Sequence, residues 1–261
     1  MPEPMIPAYS TQFEGRPFTR SGLRHRMGPD DPLFHLLEDL CFQDVVGIFD
    51  DFTTSLDTTL WTASAIAGGA VHARSANVLS GVILGSGTTT SGDGSRLFMA
   101  NNEIFVTNAR PYALIRHRPA ATITTSKFEF GFSSADTEMV NSKVTPTSTT
   151  ADYAAIIRDT DDSTSTDLIV DGTTPAIAKV VGSAALTTLA ASTYQVWMLA
   201  LNERNAAYYW INGIFGGVQR GNGPDDDVTL GISTTVRTRA DATLISQTID
   251  YIKAGQERIV F

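Results

Sequence analysis

A dipeptide near the C-terminal end of the chain constrains the fold more than any other feature. Asn212-Gly213 stands between the aromatic stretch 207–211 and Ile214-Phe215. A two-residue hairpin turn of type I′ requires positive φ at both central positions, and Asn followed by Gly adopts that conformation at little cost. The sequence therefore predicts two antiparallel strands joined at residues 212–213.

The same pattern of strand and turn signals recurs along the chain. Asp171-Gly172 predicts a second hairpin, between strands at 167–170 and 176–180. In the stretch 127–132, three Phe alternate with Lys, Glu and Gly, which is typical of a strand with one face in a core. The sequence as a whole predicts an all-β fold of two antiparallel sheets packed face to face. Further strands are predicted at 46–52, 153–158, 194–199 and 244–252.

Composition limits the classes of partner. A chain of 261 residues with 42% hydrophobic side chains can fill the core of one large sandwich. Only 18% of the residues are charged and the net charge is −9, so the phosphate-neutralising Lys and Arg clusters of a nucleic-acid-binding protein are not expected. The apolar run 196–201 is far shorter than the roughly 20 residues that span a bilayer. We therefore predict neither a nucleic-acid nor a membrane partner.

The N-terminal sequence indicates where the protein is made. Residues 1–4 carry neither the basic nor the apolar region of a signal peptide. Cys41 is the single cysteine, so the chain has no disulfide within itself. Both features favour assembly in a cytoplasm.

Residues 1–30 differ from the rest of the chain. Six of the eleven prolines lie at or before Pro32, and both Pro and Gly interrupt regular structure. Spaced apolar and arginine side chains in such a segment favour an extended arm that becomes ordered on a neighbouring subunit, and a disordered tail is the alternative. The predicted partner-binding residues of the arm are Tyr9, Phe13, Arg16, Phe18, Arg20, Leu23, Arg24 and Arg26.

A short amphipathic helix is predicted after the arm. Asp31 before Pro32 is a typical start, with the proline in the first helical position. Leucines then recur at helical spacing over 32–43. The predicted organisation is thus an arm at 1–30, a helix and linker at 31–45, and a β-sandwich domain at 46–261.

The acidic residues give no pattern of a hydrolase. A retaining glycosidase places two carboxyl groups about 5–5.5 Å apart, which two acids at i and i+2 of one strand can approximate. The pairs with this spacing fall in predicted loops, where solvated carboxylates are expected. We therefore predict no catalytic residues and no enzyme activity. The pairs are Asp136/Glu138, Asp159/Asp161 and Asp225/Asp227.

Metal and cofactor motifs are incomplete. Asp159, Asp161 and Ser163 resemble the start of a calcium loop, but Thr164 stands at the glycine position and Val170 at the bidentate glutamate position. A calcium site of another type, using 225–227, is an alternative. The four histidines are scattered, and no complete nucleotide-binding glycine motif occurs. No metal site and no cofactor are predicted.

The aromatic stretch admits two interpretations. Alternation on a strand places Tyr208 and Trp210 on one face and Tyr209 and Ile211 on the other. At least one of these faces must belong to the core. The other could stack against a sugar ring.

Three segments carry a resemblance to a known family. The resemblance implies a two-sheet jelly roll over 46–261, without implying one activity. Its glucanase branch carries a Glu-x-Asp-x-Glu strand, which this sequence lacks. The segments Phe49-Asp50-Asp51-Phe52…Leu56-Asp57…Leu60-Trp61, Tyr208-Tyr209-Trp210-Ile211-Asn212-Gly213 and Thr243-Leu244-Ile245…Ile249-Asp250-Tyr251-Ile252 resemble the concanavalin A-like (laminin G-like) jelly-roll superfamily.

The resemblance and the arm together give the functional hypotheses. Members of this superfamily include bacteriophage virion modules, and a Pro-rich arm before such a domain resembles phage structural proteins. The first hypothesis is a non-enzymatic capsid decoration (cement) protein of a virion, a homotrimer whose arm grips the major capsid protein or other virion subunits. The alternative is a carbohydrate-binding module of a phage tail or fibre, with a host glycan as ligand.

Overall fold

The computed structural model describes most of the chain after residue 44. The predicted arm, with all of its predicted partner-binding residues, and the predicted helix at 32–43 lie outside the described residues. The described residues are 45–53, 56–75, 83–99, 104–140, 143, 146, 152–172, 178–180, 189–204, 206–241 and 243–257.

The described residues form an all-β structure with a single short helix, a 3-10 turn at Thr107–Ala109. None of the described helical structure is long or apolar enough to cross a membrane. The strands are β1 Val45–Asp50, β2 Thr62–Ile66, β3 Ala70–Arg74, β4 Ile83–Ser86, β5 Gly94–Phe98, β6 Phe105–Val106, β7 Tyr112–Pro119, β8 Ser126–Ser133, β9 Tyr153–Asp159, β10 Thr166–Asp171, β11 Ala178–Val180, β12 Gln195–Leu201, β13 Ala207–Ile211, β14 Ile214–Gln219, β15 Thr229–Thr238 and β16 Ser246–Glu257.

Two eight-stranded antiparallel sheets account for all of these strands. Sheet 1 has the order β14-β13-β12-β7-β16-β4-β3, with β1 also paired to β16. Sheet 2 has the order β11-β10-β9-β8-β15-β5-β2, with β6 paired to β15. The first and last strands lie together, with Ile48 opposite Ala254. The predicted two-sheet antiparallel sandwich is therefore confirmed.

The core lies between the inner faces of the two sheets. From sheet 2, Phe128, Phe130 and Phe132 point into it and are fully buried. From sheet 1, Trp197 and Tyr209 meet them in the same cluster. The alternation that the sequence predicted for 127–132 is confirmed, because the pleat of the strand places all three phenylalanines in the core cluster and leaves Lys127 and Glu129 outside it.

The Asn212-Gly213 hairpin forms as predicted. Asn212 has φ 52° and Gly213 has φ 78°, and Ile211 pairs directly with Ile214. The turn is also tied to β12, because Val196 N donates to Asn212 Oδ1 and Asn212 N donates to Val196 O, each at 2.8 Å.

The second predicted hairpin is correct in its pairing and wrong in its turn. Strand β10 does pair with β11, with Val170 opposite Ala178. That register leaves residues 171–177 between the paired positions, which is too many for a two-residue turn. Asp171 is instead the last residue of β10, opposite Tyr153 of β9.

Candidate functional site

The outer face of sheet 1 carries an apolar cluster separate from the core. Tyr209 and Ile211 of β13 belong to the core, whereas Tyr208 and Trp210 belong to a second cluster with Met198 of β12. This confirms the predicted division of the aromatic stretch between two faces. The face away from the core is the one on which a ligand could lie.

Aromatic rings form a row along this outer face. The rings of Tyr208 and Trp210 stack with centroids 6.4 Å apart and an interplanar angle of 20°. Phe215, half exposed on β14, continues the row at 5.7 Å from Trp210. Because Tyr208 and Trp210 are only 7% and 3% exposed, the ring surface open to the carbon–hydrogen face of a ligand is limited to Phe215 and the exposed edge of Tyr208.

A cavity of about 380 Å³ opens at the end of this row. It lies where β12 connects to β13 and where β14 ends, so two separate stretches of chain build it. Its volume is in the range of small-molecule sites. Its lining residues are Asn202, Arg204, Ala206, Tyr208, Arg220 and Gly221.

Asn202 organises one wall of the cavity. Its Oδ1 accepts hydrogen bonds from Arg204 N at 2.9 Å and Ala206 N at 3.0 Å, which shape the connection between β12 and β13. Its Nδ2 donates to the hydroxyl of Tyr208 at 3.2 Å. The asparagine therefore fixes both the loop and the tyrosine that line the cavity.

On the outer face of sheet 2, charged side chains are buried beneath a connecting segment. Lys127 and Glu129 of β8 point away from the three phenylalanines, as predicted, but both are fully buried. Met139 and Val140, which follow β8 in the chain, pack over this face beside Ile157. No pattern in the sequence indicates this cover, since neither residue belongs to a strand-like alternation.

Two carboxylates of different acidity meet at Lys127 beneath this cover. Lys127 Nζ lies 2.6 Å from Glu129 Oε2 and 2.5 Å from Glu138 Oε1. Burial raises the pKa of Glu129 above its ordinary value. Burial acts in the same sense on Glu138, but the charges of Lys127 and Arg237 outweigh it and hold the pKa of that carboxyl below its ordinary value.

This carboxylate pair is the feature that sequence spacing missed. Glu129 and Glu138 are nine positions apart, so no i,i+2 search finds them. On the outer face of β8, Lys127 and Gly131 flank Glu129, so one of three alternate positions carries a carboxylate. Glu129 also accepts hydrogen bonds from Met139 N at 2.9 Å and Val140 N at 3.2 Å. A sugar could reach Glu129 only if that segment moved away.

The residues that resemble the start of a calcium loop are engaged in contacts within the protein. Asp159 is fully buried, so its expected role as a solvated loop acid is wrong. Arg239 Nε donates to Asp159 Oδ1 at 2.9 Å, and Asp161 N donates to the same oxygen at 3.3 Å. A cation here would have to displace the guanidinium. Within the described ranges, no three His, Cys, Asp or Glu side chains are grouped to hold a metal ion.

Comparison with known proteins supports the fold alone. No family model and no curated protein matches the sequence. A glycoside hydrolase family 16 endo-glucanase from Bacteroides ovatus matches with a TM-score of 0.55 at 13% identity, over 79% of this chain and 99% of that one. The carbohydrate recognition domain of Emp47p matches with a TM-score of 0.55 at 11% identity, over 83% of this chain and 98% of that one. A Shewanella oneidensis protein of unknown function matches with a TM-score of 0.54 at 12% identity, over 88% of this chain and 96% of that one.

The fold is a concanavalin A-like jelly roll. These matches correct the prediction that the chain is not an enzyme, because the same jelly roll, over nearly its full length, is that of an endo-glucanase. The predicted capsid role, homotrimer, virion partners and virion location concern other chains and the undescribed arm, and they stay predictions.

Proposed function

We propose that this jelly roll binds a glycan at the cavity on the outer face of sheet 1. The observation that carries the proposal is the combination of Tyr208, Asn202 and two arginines around one cavity of about 380 Å³. A sugar presents a carbon–hydrogen face and a rim of hydroxyls. An aromatic wall suits the first, and planar amide and guanidinium groups suit the second.

The comparisons add support of a general kind. A carbohydrate recognition domain and an endo-glucanase share the architecture at low identity. A shared fold alone does not fix a ligand. The proposal therefore depends on the cavity residues of this chain.

The exposed position of the cavity also fits the proposal. Tyr208 is 7% exposed and closes the inner wall, whereas Arg204 and Arg220 lie at the solvent-facing edge. A ligand can thus enter without displacing the core. The buried carboxylates of sheet 2 do not meet this condition.

Glycan-array screening followed by calorimetric titration tests the proposal. Tyr208→Ala and Asn202→Ala should each reduce affinity for the best array ligand by about tenfold or more, since each removes a wall contact or its support. Tyr251→Ala is the matched control, because Tyr251 is a half-buried tyrosine of β16 on the same sheet and does not line the cavity. Equal loss in the control, or binding that ignores both cavity variants, would contradict the proposed site.

A second assay on the same glycans distinguishes binding from turnover. It measures the reducing ends that hydrolysis of the glycan would release. Hydrolysis that disappears in Glu129→Gln and persists in Tyr208→Ala would move the functional site to sheet 2 and overturn the proposal.

A further inference from the structure

We infer that the cavity selects a glycan bearing a negatively charged group, such as a hexuronic acid or a sulfated sugar. The inference rests on the proposed glycan-binding function and names the class of ligand. Its basis is the pair Arg204 and Arg220, which line one cavity from two different connections of sheet 1.

The surroundings of the two arginines differ from those of three arginines elsewhere in the protein. Arg110, Arg116 and Arg239 each form an ion pair with a carboxylate of the chain. Among the residues that the structure describes, no carboxylate lies within ion-pair distance of the guanidinium of Arg204 or Arg220. Both side chains are exposed. Their donors are therefore available to a ligand in the cavity.

The neighbouring acid does not cancel this positive charge. Glu203 precedes Arg204 in the chain, but its carboxylate is held by Arg110 Nε at 2.9 Å. Arg110 in turn also meets Glu257 at 2.8 Å. The acid next to the cavity thus belongs to a separate ion-pair group. Two arginines at one site, neither paired with a carboxylate in the part of the chain that the structure describes, stand out further because the whole chain has a net charge of −9.

Guanidinium chemistry specifies the ligand group. The planar fork of an arginine donates two parallel hydrogen bonds to a carboxylate, and comparable bonds to a sulfate or phosphate ester. Neutral hydroxyls also accept from arginine, but a charge-assisted bond is about twice as strong. With Tyr208 against the ring and two guanidinium groups at the edge, the cavity fits a sugar ring with an anionic substituent.

Calorimetric titration with three matched tetrasaccharides tests the inference. The probes are tetragalacturonic acid, neutral tetragalactose and a sulfated tetragalactose. We expect both charged probes to bind at least about tenfold more tightly than the neutral one. Comparison of the two charged probes identifies the source of the charge, since tighter binding of either one supports the inference and names the preferred group.

Variants of the two arginines connect selectivity to the cavity. Arg204→Gln and Arg220→Gln should each weaken the charged probes by about tenfold and change the neutral probe by less than about twofold. Arg118→Gln is the control, because Arg118 is an exposed arginine of β7 in the same sheet and does not line the cavity. The affinity for the charged probes should also fall with added salt.

The outcomes separate this inference from the function on which it rests. Equal binding of all three probes, abolished by Tyr208→Ala, would leave the glycan site standing and overturn the preference for charge. Binding of charged probes that survives both arginine variants would likewise overturn it. Failure of every glycan on the array would overturn the proposed function itself.

Discussion

The indole N–H of Trp61 donates a hydrogen bond to Asp50 Oδ2 at 2.8 Å. The other carboxylate oxygen of Asp50 accepts from Phe52 N, also at 2.8 Å. Phe52 has φ 53°, and its ring lies 6.2 Å from that of Trp61. One side chain thus ends β1, fixes a turn and satisfies a buried indole. These residues belong to the first segment on which the family resemblance was based.

Asp50→Ala should destabilise the protein by about 1–3 kcal/mol, because Trp61 is only 2% exposed and its N–H would lose its partner. Asp50→Asn should cost less, since one carbonyl oxygen remains to accept one of the two bonds. Urea denaturation followed by tryptophan fluorescence measures both. Asp51→Ala is the control, because among the described residues the exposed carboxylate of Asp51 accepts hydrogen bonds only from Thr53. An equal effect at both positions would contradict the role assigned to Asp50.

The stability of the protein should fall as the pH decreases from 6.5 towards 4. Burial lowers the pKa of His72 to about 4 and that of His117 to about 3. Both rings stay neutral in the folded protein while the unfolded chain takes up protons below about 6.5. Their contribution is therefore complete above pH 6.5 and is lost as the pH falls towards the folded values.

The variant His117→Asn isolates this effect. Each buried histidine should contribute a slope of about 1.4 kcal/mol per pH unit between these limits. Urea midpoints at pH 7, 6 and 5 should therefore fall less steeply in the variant than in the parent protein. The carboxylates are common to both proteins, so their effects cancel in the comparison. Identical slopes would show that burial does not lower the pKa of His117 in the folded protein.

Gly213→Ala should cost about 1–2 kcal/mol of stability, since φ 78° places a side chain in the left-handed region. A Cβ at this position would meet no atom within 4 Å, so the cost is conformational and not a clash. Gly213→Asn should cost less, because asparagine tolerates this region better than alanine. Thermal unfolding of the three proteins gives the comparison. An alanine variant as stable as the parent would contradict the turn geometry.

Lys127→Met should destabilise the protein by about 3–5 kcal/mol, because it leaves Glu129 buried without its counter-charge. Lys253→Met provides the control, since Lys253 is a partly exposed lysine of β16, whereas Lys127 is fully buried between two carboxylates. The double variant Lys127→Met/Glu129→Gln should recover part of the loss. Guanidinium denaturation tests the set. No recovery in the double variant would show that the lysine acts through Glu138 or through packing instead.

Local sequence predicted much of the fold. The Asn212-Gly213 turn depends only on the φ preferences of two residues, and alternation around Phe130 depends only on the pleat of a strand. Both predictions are confirmed. The turn at Asp171-Gly172 was wrong because Asp171 pairs with Tyr153 across the sheet and extends β10. A long-range ladder therefore decided where that strand ends.

The candidate sites were less predictable than the strands. Tyr208 could be assigned to a face from alternation, but Arg204 and Arg220 lie sixteen positions apart and meet only because β13 and β14 fold back as a hairpin. The carboxylates of Glu129 and Glu138 meet because the segment after β8 turns back over it. Neither the arginine pair nor the glutamate pair leaves a periodic signal in the sequence.

Properties of neighbouring residues were enough to specify the all-β class, the Asn212-Gly213 hairpin and the division of the aromatic residues between two faces. Folding in three dimensions was needed to place the cover over Lys127 and Glu129 on sheet 2 and the cavity at one end of sheet 1. Both depend on how the connections after β8 and β12 pack, and that packing depends on contacts between residues distant in the chain. The buried charges of sheet 2 and the accessible cavity of sheet 1 are both consequences of it.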